Sequence, residues 1–100
     1  MAYKSKFATK EIDKLFEAIL TLKSVEECYK LFEDLCTIKE IQDMSQRLLV
    51  AKLLNEGVSY QNISKETLAS SATISRVAKS LSYGADGYKL VLERTSKTTK

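Results

Sequence analysis

Apolar residues recur at helical spacing along most of the chain. In the first such segment, from about Thr9 to Leu22, they occupy positions i, i+3, i+4, i+7 and i+8. This spacing places them on one face of an α-helix, because a helix turns once every 3.6 residues. The sequence therefore predicts an amphipathic helix over 9–22, and we expect residues 1–8 before it to form a flexible basic arm.

Capping boxes, in which a Ser or Thr begins a helix and a Glu follows three residues later, mark the next two helices. Ser24 with Glu27 predicts the second helix, and Thr37 with Glu40 predicts the third. Gly57 indicates where the third helix ends, since a left-handed residue often follows a helix and glycine adopts that conformation at little cost.

Two short helices around a tight turn follow directly. Ser59 can cap the first, which ends near Thr67, and Ser70 or Ser71 can cap the second, which reaches about Tyr83. Together they outline a helix-turn-helix.

The apolar positions of this motif fit the core of a helix-turn-helix. They are Ile63, Ala69, Ile74 and Val77, with the small Ser64 where the two helices cross. Leu68 departs from the pattern, because glycine is usual in the turn, where a left-handed backbone costs other residues roughly 1 to 2 kcal/mol. Either the turn has another shape or the strain is tolerated.

Gly84 and Gly87 bracket a break in the pattern, and one or two further helical turns follow it. Residues 95–100 are expected to form a frayed tail. The chain is thus predicted to be all-α, with about six short helices in a single domain at residues 9–94 and the helix-turn-helix at about residues 59–83.

The second helix of the motif combines hydroxyl groups with cations and contains no acid. Hydroxyls form hydrogen bonds with phosphates and base edges, and the cations Arg76 and Lys79 can bind phosphates or guanine edges. The alternative is a solvated surface helix without a partner. Serine and threonine are mediocre helix formers, so a helix kept only for stability would more often carry Glu and Lys. DNA contact is the favoured interpretation.

Chain length and composition bear on how the protein assembles and where it is located. A chain of 100 residues buries only roughly 60 to 65% of its unfolded surface, so its core is expected to be thin and completed by a partner subunit. No apolar run approaches the roughly 20 residues of a membrane span, and no signal-peptide core follows Met1. We therefore expect a cytoplasmic protein.

Enzymatic and metal-binding functions find no support in the residue types. The chain contains no histidine, the commonest general base, and its two cysteines, Cys28 and Cys36, lack the spacing of zinc ligands. The prediction is a protein that is not an enzyme and that holds neither a metal nor a cofactor, with the cysteines as reduced thiols.

Residues 36–88 contain the segments SQR, EG, ATISR and YGADGY, a combination more specific than a helix-turn-helix pattern alone. This region resembles the Trp repressor superfamily, in particular its YerC/YecD-type branch. The resemblance implies an all-helical, intertwined homodimer whose second motif helix enters the major groove of DNA. A two-fold dimer of this kind reads half-sites about one helical turn, roughly 34 Å, apart.

The leading hypothesis is a sequence-specific transcriptional regulator, expected to be a repressor, that binds a double-stranded DNA operator as a homodimer. Free N–H groups at the start of the first motif helix favour phosphates. The expected DNA contacts are Ser59, Tyr60 and Gln61 at that helix start, and Ser71, Ala72, Thr73, Ser75, Arg76 and Lys79 on the second helix.

The resemblance also implies a site for a small-molecule corepressor. Its matching residues are Thr37, Arg47, Arg76 and Ser80. Val77 stands where the family has a glycine and Asp34 where it has a leucine, and both differences argue against tryptophan as the ligand. For Arg76 phosphate contact is favoured over effector contact, and Arg47 can instead be a surface or salt-bridging residue.

A second hypothesis assigns the motif to protein interaction. In that case the helix pair docks another regulatory protein, and the acidic segment 24–40 and the five tyrosines are compatible with it. Gel filtration with and without duplex DNA separates the two hypotheses.

Overall fold

The computed structural model of the protein describes residues 3–98, and the side chains of residues 3–96. Within this range the chain forms six α-helices and no strand, as the sequence predicted. The helices are α1 (Lys10–Ile19), α2 (Val25–Leu35), α3 (Ile38–Asn55), α4 (Tyr60–Thr67), α5 (Ser71–Tyr83) and α6 (Gly87–Thr98).

The chain divides into two compact units, Met1–Ile38 and Lys39–Lys100. All the buried apolar side chains of the described residues belong to the second unit. They are Val50, Ala51, Leu53, Ile63, Ala69, Ile74, Val77 and Leu92. The helix-turn-helix residues Ile63, Ala69, Ile74 and Val77 are among them, so the predicted core of the motif is confirmed.

The first unit differs from the second in its burial, because neither α1 nor α2 contains a buried residue. The apolar face that predicted α1 is present, yet Phe16 and Leu20 on it are exposed. The helices themselves are locally well specified. Thr9 caps the start of α1 by accepting a hydrogen bond from the amide of Ile12 at 3.0 Å. Leu20 is the C-cap at the other end of α1.

The capping box of α2 is present with one change. Ser24 accepts from the amide of Glu27 at 3.1 Å, as expected for an N-cap serine. The Glu27 carboxylate accepts from the amide of Lys23 at 2.8 Å, one residue before the cap. Ser24 thus satisfies a backbone donor that the helix leaves unpaired, and Glu27 satisfies one just before the helix.

Gly57 ends α3 in the conformation that the sequence predicted, with φ of 84°. The amide of Gly57 donates to the carbonyl of Leu54 at 3.0 Å, and the amide of Val58 donates to that of Leu53 at 3.0 Å. This paired pattern is the Schellman motif, which requires a left-handed residue after the helix. It turns the chain directly into α4.

The last helix is longer than the one or two turns predicted. α6 has 12 residues and ends at Thr98, so residues 95–98 of the expected frayed tail are helical, and residues 99–100 lie outside the described range. The polar residues of its last turns do not break it, because their hydroxyls bond to carbonyls of the same helix. Thr95 Oγ1 donates to Val91 at 2.9 Å and Ser96 Oγ to Glu93 at 3.0 Å. Leu92 anchors the helix in the core.

The segment before α1 contains a turn in its described part. The amides of Phe7 and Ala8 donate to the side chain and the carbonyl of Ser5. Residues 1–2 of the predicted basic arm lie outside the described range. Among residues 3–98, no helix is both long and apolar enough to cross a membrane.

Candidate nucleic-acid interface

The two helices of the motif, α4 and α5, pack against each other across a turn of three residues, Leu68, Ala69 and Ser70. The hydroxyl of Ser59 accepts from the amide of Asn62 at 3.2 Å and begins α4. The hydroxyl of Ser70 accepts from the amide of Thr73 at 3.1 Å and begins α5. Of the two candidate caps for α5, the structure therefore uses Ser70.

Leu68 adopts the left-handed conformation, with φ of 62° and ψ of 15°. Its side chain is 85% exposed, so no packing compensates the backbone strain. Of the two possibilities that the sequence left open, the turn keeps the usual shape and leucine tolerates the strain, which costs roughly 1 to 2 kcal/mol.

Hydrogen bonds from side chains hold this turn in place. The Thr67 hydroxyl donates to the carbonyl of Ile63 at 2.8 Å and accepts from the amide of Ala69 at 3.1 Å. The Ser64 hydroxyl donates to the carbonyl of Ala69 at 3.1 Å. Ser64, which the sequence placed at the helix crossing only for its size, therefore also ties α4 to Ala69 of the turn.

Gln46 of α3 adds a contact that sequence reasoning missed. Its side-chain Nε2 donates to the carbonyl of Thr67 at 3.1 Å, in a partly buried position. The two residues are 21 positions apart, and a glutamine within a helix carries no local signal of such a bond. The contact fastens the turn of the motif to α3.

The outward side of α5 is polar and cationic. Ala72, Ser75, Arg76 and Lys79 are exposed and share one face, because they stand at positions i, i+3, i+4 and i+7. Ser71 is exposed beside them. Thr73 is half-buried and its hydroxyl accepts a hydrogen bond from Ser70 at 3.1 Å, so it is less accessible than the other predicted contacts.

The two cations of α5 are available for an anionic partner. Among the described residues neither Arg76 nor Lys79 has a carboxylate within ion-pair distance, whereas Lys39, Lys52 and Lys89 each pair with an acid on or next to their own helix. The α5 segment contains no Asp or Glu. A phosphate approaching this face thus meets positive charge without repulsion from an acid on α5.

The start of α4 offers a second polar surface. Ser59, Tyr60 and Gln61 are all exposed, and the first turn of α4 contains no acid. Backbone N–H groups in the first turn of a helix have no intrahelical acceptor and favour anions. Predicted contacts of both helices are thus exposed.

A groove of about 560 Å³ lies within the second unit and brings two of the predicted effector residues together. Arg47 and Ser80 both line it. The rest of the lining is largely apolar: Met44, Leu48, Gly84, Ala85, Gly87, Tyr88 and Val91. The contribution of α6 was missed, although YGADGY was among the motifs that carried the family resemblance.

Other residues of the predicted effector site lie elsewhere. Arg76 is exposed on α5 and is not among the groove residues, and Thr37 precedes α3 in the first unit. Arg47 is half-buried and forms no ion pair with any carboxylate of residues 3–98, which removes the salt-bridging interpretation within this range. Val77 is a core residue, and Asp34 is exposed on α2.

The cysteines and acids show no arrangement for metal binding. Both Cys28 and Cys36 are unpaired thiols on or next to α2. Over residues 3–98 no group of three Cys, Asp or Glu side chains comes close enough together to hold a metal ion.

A three-residue turn, a left-handed residue within it and a buried apolar core shared by both helices define a helix-turn-helix protein. Comparison with known proteins identifies the family. The chain belongs to the Trp repressor family, whose model, described as Trp repressor protein, matches residues 10–96.

Three relatives illustrate the similarity. The uncharacterized protein YerC of Bacillus subtilis (strain 168) is 55% identical over 93 residues, which cover 93% of this chain and 89% of YerC. A crystal structure from Staphylococcus aureus, provisionally assigned as a Trp repressor, is 52% identical with a TM-score of 0.87 and 91% of each chain covered. A TrpR-like protein from Eubacterium eligens ATCC 27750 is 53% identical with a TM-score of 0.88, covering 91% of this chain and 94% of its own.

Proposed function

We propose that the protein is a sequence-specific DNA-binding transcriptional regulator that acts as a repressor. The observation that carries the proposal is the exposed, acid-free face of α5, where Ser75, Arg76 and Lys79 lie side by side on a helix whose start is fixed by the turn. Membership in the Trp repressor family supports the same function. Its partner is a double-stranded DNA operator, and the protein acts in the cytoplasm.

The contacts divide by chemistry. Arg76 and Lys79 bind phosphates or guanine edges, since cations are drawn to both. The shorter polar side chains of α5 read base edges, and Ala72 supplies an apolar contact to a thymine methyl. The start of α4 holds a phosphate. The base-reading candidates are Ser71, Thr73 and Ser75, and the phosphate contacts on α4 are Ser59, Tyr60 and Gln61.

The acting form is a homodimer. In the single chain α1 and α2 bury no residue, although both have an apolar stripe. Exposed apolar surface of this kind marks an interaction site. A second copy of the chain covers it and also provides the second recognition helix that a two-fold operator requires.

A small molecule can modulate this regulator through the groove between α3 and α6. The guanidinium of Arg47 offers a partner for a carboxylate, and the apolar lining accommodates a hydrocarbon body. Ser80 supplies a hydroxyl on the α5 side, and Thr37 is a further candidate from the family resemblance. The side chain of Arg76 is assigned to phosphate.

One observation favours the second candidate function, docking of another regulatory protein. Leu68 and Tyr83 on the motif are each 85% exposed, and Tyr60 is 49% exposed. Aromatic side chains are enriched at protein interfaces. Gel filtration with and without duplex DNA distinguishes the candidates, because only the regulator forms a sequence-selective complex with DNA.

Selection of bound fragments from a random DNA pool tests the main proposal. We expect a two-fold symmetric consensus, and we expect it to disappear with the Arg76→Ala, Lys79→Ala double variant. Recovery of the same fragments by the double variant would exclude α5 as the recognition helix. Repeating the selection with added amino acids tests for an effector.

A further inference from the structure

The carbonyl group of Thr67 stands at the end of α4, where helix carbonyls have no partner within the helix. Here the partner comes from another helix. Gln46 of α3 donates its Nε2 to this oxygen at 3.1 Å, in a partly buried environment where water competes less for the bond. Gln46 therefore acts as a C-terminal cap for the first helix of the motif.

The position of this carbonyl matters because the next residue is the strained one. The peptide group between Thr67 and Leu68 is planar, so fixing its oxygen fixes the orientation of the whole group. The rotation φ of Leu68, which is 62°, starts from this peptide group, so a fixed orientation of the group restricts it. Gln46 thus holds the peptide plane that enters the left-handed residue.

The consequence reaches the recognition helix within three residues. α5 begins at Ser71, and its cap Ser70 follows Leu68 by two positions. A relaxation of Leu68 toward the right-handed region would redirect the chain at this point and change the angle between α4 and α5. The local bonds of Ser64 and Thr67 tie α4 to Ala69, and among the described side chains Gln46 alone makes a hydrogen bond from α3 to this turn, beside the apolar packing of Ala69.

We infer that Gln46 is a positioning residue for sequence recognition: its bond to Thr67 keeps the motif turn in the left-handed form that presents α5 to DNA. The inference rests on the proposed DNA-binding function. It concerns the preference for one DNA sequence over others. A loosened turn leaves the charges of Arg76 and Lys79 in place, but it makes the positions of the base-reading side chains less precise.

The capping step is tested without DNA. Gln46→Met keeps the length of the side chain and removes the donor, and Gln46→Glu keeps its shape and replaces the amide by a carboxylate that cannot donate at neutral pH. Gln42→Met makes the same change on an exposed residue one turn earlier in α3 and serves as the control. Hydrogen exchange of the Leu68 and Ala69 amides is expected to accelerate about tenfold in both Gln46 variants and to stay unchanged in the control.

The recognition step is tested with the duplex that the intact protein selects and with a scrambled duplex at the same salt concentration. Both Gln46 variants should lose about tenfold in affinity for the selected duplex, while affinity for the scrambled duplex stays within about twofold. A purely structural defect would lower the two affinities by the same factor. Equal losses, or an unchanged ratio in variants that fold, overturn the inference.

A second substitution tests whether Gln46 affects selectivity through the turn or in another way. Glycine adopts the left-handed conformation without strain, so adding Leu68→Gly to Gln46→Met should restore most of the lost selectivity. No recovery in the double variant contradicts the proposed route through Leu68. If the intact protein selects no duplex, the proposed function fails together with the role in recognition, whereas faster exchange at Leu68 and Ala69 would still establish the cap.

Discussion

The backbone of Gly84 lies against the carbonyl group of Ser80, to which its amide donates a hydrogen bond of 2.8 Å. A Cβ at position 84 would collide with that carbonyl oxygen, which is backbone and has no room to move aside. Both residues line the groove that contains Arg47. The end of α5 and the wall of the groove thus depend on the same close approach.

Replacing Gly84 by alanine is expected to lower the free energy of unfolding by about 1 to 3 kcal/mol, the usual range for forcing an extra group into a filled space. The matched control is Gly87→Ala, where a Cβ meets no atom within 4 Å and φ is not left-handed. Gly87 is the first residue of α6, so the control should be neutral or stabilising by up to about 1 kcal/mol. Denaturant titration of both variants decides the matter. Equal effects would contradict the steric argument.

Leu68→Gly is expected to stabilise the protein. The substitution removes left-handed strain of roughly 1 to 2 kcal/mol and loses no packing, since the side chain is 85% exposed. Glycine also makes the unfolded chain more flexible, which offsets about 0.4 to 1 kcal/mol of the gain. The midpoint of chemical denaturation should therefore rise. A fall would mean that the exposed leucine makes a contact in the assembled protein.

Ser70→Ala should destabilise the protein by about 1 kcal/mol, because the hydroxyl of Ser70 is the cap of α5. Ser71→Ala changes the same residue type one position later, where the side chain is exposed and does not cap the helix. Its effect should stay within about 0.5 kcal/mol. Thermal unfolding of the pair measures the difference. A larger loss of stability in Ser71→Ala than in Ser70→Ala would show that α5 begins one residue later than described.

Lys79→Ala tests the proposed phosphate contact on α5. Each neutralised phosphate contributes about 0.9 to the slope of log affinity against log salt, so the slope should decrease by about one while sequence preference is retained. Lys39→Ala is the control, because the ammonium of Lys39 pairs with Asp43 at 3.1 Å and is assigned no role with DNA. A slope that changes equally in both variants would remove Lys79 from the interface.

Much of the fold could be predicted from the sequence because its signals are local. An N-cap serine and the amide it accepts from are three residues apart, so a few letters identified Ser59 and narrowed the cap of α5 to Ser70 or Ser71. Two of the left-handed positions could be predicted in the same way, whereas Asp86, with φ of 67°, was not predicted. Gly57 has the expected residue type, and Leu68 was recognised as the exception that a helix-turn-helix demands.

The features that the sequence did not reveal depend on contacts between distant segments. The bond from Gln46 to Thr67 spans 21 residues and exists only once α3 has packed beside the motif. The length of α6 was underestimated because threonine and serine usually favour other structures, whereas here Leu92 anchors the helix in the core. Thr73 was expected to be accessible to DNA, but it is half-buried and bonded to Ser70.

The distribution of the core also has a consequence for how the protein forms. Every buried side chain in the described range comes from residues 50–92, so the contacts that build this core join segments near one another along the chain. Short separations of this kind favour rapid folding, since little entropy is lost in closing each loop. We therefore expect the unit that contains the helix-turn-helix to fold rapidly and independently of protein concentration. α1 and α2 bury no residue, so we expect their stability to depend on whatever covers their apolar stripes.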